Sequence, residues 1–90
     1  LSKLVDEIAD VVADYGNGVM GDGQYSKMFD ELHKKFGIAG VNFGSEQELP
    51  DGTIRRVSTL QADDGSDTGI TLVVLRKERD FGTEYTSYIA

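Results

Sequence analysis

The chain has 90 residues, nine Lys and Arg against sixteen Asp and Glu for a formal charge of −7, 39% apolar and 28% charged residues, and no cysteine. That composition excludes whole-chain disorder, and the missing thiols exclude disulfides and thiolate metal centres. The anionic excess argues against direct binding to nucleic acid or anionic lipid, because that attraction rests on cations neutralising phosphates.

A chain of this length buries roughly 60–65% of the surface it would expose unfolded, enough for one modest core, so residues 1–90 are expected to form a single domain. Leu1, Leu4, Val5, Ile8, Val12 and Tyr15 recur at spacings of three and four, and Val11 widens the stripe. This one-sided period predicts an amphipathic helix over 2–15, with Ser2 as a possible cap and Gly16-Asn17-Gly18 as its end. Tyr25, Met28, Phe29, Leu32 and Phe36 mark a second helix over 23–36, with Asp22 or Ser26 at the N-cap. Lys34 and Lys35 in its last turn suit the negative end of the dipole, and Gly37 followed by Ile38 reads as a glycine C-cap. The polar, Gly-rich link between the two predicts a helical hairpin.

The period then changes. Pro50-Asp51-Gly52 is a tight turn, in which Pro pre-sets the first corner and Gly takes the positive φ. Asp63 to Gly69 is a second turn, and Phe81-Gly82-Thr83 allows a third. Strands are predicted over 41–49, 53–62, 69–79 and 84–89, the Ile70-Thr71-Leu72-Val73-Val74-Leu75 run being the strongest. Short turns impose an antiparallel meander, and the helix pair is the available cover for its apolar face. The fold class expected is therefore α+β, an N-terminal two-helix hairpin on a C-terminal antiparallel meander of three to four strands.

Most candidate constellations have a plain structural explanation. Gly16, Gly18 and Gly21 spell a dinucleotide fingerprint in letters, but they follow a helix and no βαβ unit surrounds them, so they read as a turn. Asp14, Asn17 and Asp22, and likewise Asp63, Asp64 and Asp67, supply oxygen ligands of the kind Ca²⁺ uses, without EF-hand spacing; solvated turns select the same residues. His33 is the only histidine, with no second His and no Cys to converge on, and reads as a surface residue. Ser26, Ser45, Ser58, Ser66 and Ser87 sit in no nucleophile-elbow pattern. No catalytic site, cofactor or metal is expected.

Two charged features carry more. Arg55 and Arg56 fall on one predicted strand, and Arg76, Lys77 and Arg79 on the next. Pairing Ala62 with Gly69 would set Arg55 opposite Arg76 and Lys77 opposite Ile54, an arrangement that needs Glu46, Glu48, Glu78 or Glu84 to neutralise it. The two readings are a neutralised network at the sheet end and a small anion-binding patch. The second feature is the acidic strip of the first helix, where Asp6, Asp10 and Asp14 repeat every four residues with Glu7 beside them. At a helical rise of about 1.5 Å per residue these carboxylates stand about 6 Å apart along one edge. That is near the separation of successive phosphates in a nucleic-acid strand, on the order of 6–7 Å. The strip is either a solvated face or a docking surface.

The function expected is that of a small acidic binding or regulatory protein, not an enzyme. Asp6, Glu7, Asp10 and Asp14 would meet a basic surface of a protein partner, in the most specific version as an inhibitor mimicking nucleic-acid phosphates. The alternative is a small-ligand or cation-binding accessory domain. No apolar run approaches the roughly 20 residues that span a bilayer, and the opening residues are amphipathic, so the expectation is a cytoplasmic protein without membrane contact. An open strand edge at 41–49 or 85–89 allows a homodimer as well as a monomer.

Overall fold

The computed structural model describes residues 2–19 and 23–90. In chain order the elements are α1 (Ser2–Tyr15), β1 (Gly18–Val19), α2 (Gln24–Phe36), β2 (Ile38–Glu48), β3 (Ile54–Ala62), β4 (Asp67–Arg79) and β5 (Gly82–Ile89). The class is α+β, as expected. All strand pairs are antiparallel, in the order β1-β5-β4-β3-β2. No helix among the described residues is long and apolar enough to cross a membrane.

The sheet has five strands where three or four were expected. The added strand lies in the link between the helices, which was read as a plain turn of a helical hairpin. Gly18 pairs with Tyr85 and Val19 with Glu84, so the link is drawn onto the far edge of the sheet. Asn17 extends that pairing with its side chain. Its Oδ1 accepts from the Ser87 amide at 3.1 Å, and its Nδ2 donates to the Ser87 carbonyl at 3.3 Å. A side-chain amide carries one acceptor and two donors, so it can stand in for a strand residue.

Both helices give their apolar stripes to one cluster. Ile8, Val11 and Val12 of α1 meet Met28 and Leu32 of α2, closed by Ile38, Leu60 and Leu72 of the sheet. Leu4, expected on the buried stripe, is half exposed at 50%, so the buried face of α1 is centred nearer its C-terminal end. The end of α2 matches expectation: Gly37 takes φ 70° and its amide bonds back to the carbonyls of His33 and Leu32. Its start does not. Gly23 is the N-cap, with no side-chain hydrogen bond, and Ser26 lies inside the helix; the other candidate, Asp22, lies outside the described residues, as do Leu1 and Gly21.

Two irregularities set which side chains share a face. Between β3 and β4 the register shifts after Thr59, where Thr59 faces Thr71 but Gln61 faces Asp67. The expected opposition of Arg55 and Arg76 is therefore wrong by one residue. Arg55 lies opposite Leu75, and Arg76 opposite Ile54. In β2 a bulge falls between Phe43, opposite Ser58, and Glu46, opposite Arg56. Side chains alternate along a strand, so the extra residue returns Glu46 to the same face as Phe43. Gly44 makes room for this, since a Cβ there would sit 2.1 Å from the Val57 carbonyl oxygen.

Candidate functional site

The sheet and the outer side of α1 hold the two charged features in different states. On α1, Asp6, Glu7, Asp10 and Asp14 are all exposed. Glu7, Asp10 and Asp14, at spacings of three and four, line one shallow groove of about 430 Å³ together with Val11 of the same helix and Lys35 and Phe36 at the end of α2. Asp6 does not line that groove. Among the described residues none of the four carboxylates enters an ion pair, and Lys35 is engaged by Glu31 at 3.4 Å.

Among the described residues four of the five sheet cations contact a carboxylate instead, while Arg55 donates to the Gln47 side-chain oxygen at 3.4 Å. One oxygen of Glu46, Oε2, accepts a hydrogen bond from Arg76 Nη1 in a close contact and is ion-paired with Arg56 Nη2 at 3.0 Å. Arg56 and Arg76 reach it because the register puts them diagonally on one face of adjacent strands, and the β2 bulge puts Glu46 on that face as well. The hydrogen bond from Arg76 holds the Glu46 carboxyl below its ordinary pKa, with the charges of both arginines adding to it. The same bond holds Arg76 firmly protonated. Lys77 meets Asp51 at 3.5 Å, and Arg79 meets one Glu84 oxygen through both Nη2 and Nε, at 2.9 and 3.0 Å. Of the four glutamates expected to answer these cations, Glu46 and Glu84 do so. Glu78 accepts from the Thr83 hydroxyl at 2.6 Å.

The remaining candidates turn inward on the chain itself. Asp64 accepts from the Ser66 hydroxyl and amide, which lower its pKa in that order of importance, and Asp67 accepts from the Gly69 amide at 2.7 Å. Asp63 faces His33 Nε2 at 3.1 Å, across side chains that are both more than half exposed. Asp64 and Asp67 thus hold their own turn, the ordinary use of Asp there. Among the described residues no group of three or more His, Cys, Asp or Glu converges as a metal site would require. The β5 edge over residues 84–87 is occupied by β1 and Asn17, and β2 forms the opposite end of the sheet.

Sequence reasoning missed the meeting of Tyr25, Phe43, Arg56, Arg76 and Tyr85 beneath α2. The Tyr25 and Tyr85 rings stand edge to face at 5.2 Å, and the Arg56 guanidinium lies over the Phe43 ring, 5.2 Å from its centre. Tyr25 also shares a 2.8 Å hydrogen bond with the buried Ser87 hydroxyl, and burial raises its pKa. These residues come from α2 and four strands, and only the alternation within β3 and β4 hinted that Arg56 and Arg76 lie on the apolar face. A scan against protein-family models, a search of curated proteins and a search of solved structures each find no match to this chain.

Proposed function

We propose that this chain is a binding or regulatory protein without catalytic activity, which docks on a basic surface of a protein partner through Asp6, Glu7, Asp10 and Asp14. Its most specific form is an inhibitor that sits in a nucleic-acid-binding groove and offers carboxylates where phosphates would lie. One observation carries the reading. Glu7, Asp10 and Asp14 border a single groove and are free of ion pairs among the described residues, while Arg56, Arg76, Lys77 and Arg79 of the sheet each contact a carboxylate.

Charges held in common along one helix edge repel one another, and the repulsion is relieved when a basic surface covers them. The phosphate-mimicking version adds a geometric condition, the roughly 6 Å repeat along the helix. Attraction of this kind is screened by salt over a Debye length of about 8–10 Å near physiological ionic strength. The test starts from a partner captured from the source cell, with affinity then measured against salt. Affinity should fall steeply as salt rises, and reversal of Asp6, Asp10 and Asp14 to Lys should abolish binding. Retained affinity in the reversed protein overturns the reading.

A further inference from the structure

The space between α2 and the helix-facing side of the sheet is incompletely filled. A recess of about 320 Å³ opens there, walled by Tyr25 and Phe29 of α2, Phe43 of β2, Arg56 of β3, Arg76 of β4 and Tyr85 of β5. This volume is at the lower end of the range that holds small organic ligands. Its surface is mainly aromatic and aliphatic, with a few polar groups, the usual make-up of such a site.

The charge of the wall is the informative part. The chain as a whole carries −7, yet among the described residues this recess is bordered by two guanidinium groups and by no carboxylate. Glu46 lies outside the wall and gives a single oxygen to both arginines. Two cations on one carboxylate leave one positive charge unanswered by contact among the described residues. Glu78 acts on Arg76 only at a distance, and its own carboxylate holds Thr83. Arg56 Nε is shut off from solvent and has no hydrogen-bond partner among the described residues. A guanidinium has five N–H donors in a planar fork, a shape that matches a carboxylate, and a buried donor without an acceptor is costly.

We propose that this recess binds a small aromatic carboxylate, with the acid group on Arg56 and Arg76 and the ring among Tyr25, Phe29 and Tyr85. The aromatic wall supplies flat surfaces for offset or edge-to-face contact with the ring. The Arg56 guanidinium lies over the Phe43 ring, 5.2 Å from its centre, and both line the recess. The site is on a different surface from the acidic side of α1, so this proposal and the docking proposal stand or fall separately.

The test compares 2-naphthoate with its neutral isostere 2-naphthalenemethanol on the intact chain, by titration calorimetry and by aromatic-region NMR. The carboxylate should bind saturably, roughly tenfold or more tighter than the alcohol, since ionised acceptors make the stronger bonds to guanidinium. The resonances of Tyr25, Phe43 and Tyr85 should move with it. Arg56→Met should remove the preference for the acid, and Val74→Phe, which fills the recess from its floor, should abolish binding of both probes. Equal affinity for the two probes overturns the proposal, as do shifts confined to the opposite sheet face around Val57 and Tyr88. So does unchanged binding by a folded Val74→Phe protein. Should either variant fail to fold, the probe comparison and the shift map on the unaltered chain decide the matter.

Discussion

The outer face of α1 and the charged end of the sheet are both rich in ionised side chains, yet they treat charge in opposite ways. On the sheet, Glu46 binds Arg56 and Arg76, Asp51 binds Lys77, and Glu84 binds Arg79. On α1, Asp6, Glu7, Asp10 and Asp14 stand without a partner among the described residues. The cause is geometric. Strands about 4.8 Å apart bring side chains from distant parts of the sequence side by side, so register decides who meets whom. A helix face is furnished by its own sequence, and α1 carries Lys3 as its sole cation. The same kind of side chain is therefore committed to structure in one region and left available in the other.

The largest effect that would break this contrast is expected from Gly44→Ala. The new Cβ would meet the Val57 carbonyl at 2.1 Å, so the bulge must move and Glu46 must leave the face it shares with the arginines. A loss of about 1–3 kcal/mol in urea unfolding is expected, the range of overpacking with backbone displacement. A neutral result would show that the sheet end does not depend on the bulge.

Glu46→Gln is the gentler version, and pH reads it. The folded pKa of Glu46 lies below its ordinary value of 4.5. Its contribution is thus complete above that value and is lost as pH falls through the lowered one. The melting temperature of the variant should be lower than that of the unaltered chain at pH 7, and the two should converge at the acid end of the titration. A gap that stays constant with pH would assign the loss to something other than charge.

The smallest effect belongs to α1, and it has the opposite sign. Replacing Asp6, Asp10 and Asp14 together by Asn removes two like-charge neighbours at i,i+4, and should stabilise the fold by a few tenths of a kcal/mol per pair. The gain should be visible in the urea midpoint at low salt and fade at high salt. If the triple variant were less stable, these aspartates would have structural partners and the contrast with the sheet would fail.

The helices were legible because their signal is local: Ile8, Val12, Met28 and Leu32 declare a period of 3.6 without reference to anything else. The turns at Pro50-Asp51-Gly52 and Asp63 to Gly69 were legible for the same reason, and with them the meander from β2 to β5. β1 was not. Two residues have no period, and Gly18 and Val19 form a strand only because Tyr85 and Glu84 lie beside them in the fold. The register of β3 on β4 was not legible either. The tip pairs Gln61 with Asp67 rather than Ala62 with Gly69, and the irregularity after Thr59 recovers most but not all of that offset, leaving the cation pairings one residue out. The acidic strip could be read as geometry, since helical spacing alone aligns Glu7, Asp10 and Asp14. The recess under α2 could not, because Tyr25, Phe43, Arg56, Arg76 and Tyr85 come together only after two register shifts.

The clasp of Asn17 on Ser87 has a consequence for the order of events during synthesis. It joins positions 70 residues apart in the sequence. A contact of such range contributes heavily to the loop-closure cost that slows folding. Until residues 82–89 have been made, the segment after α1 has no edge strand to rest on, so β1 and the Asn17 clasp can form only after β5.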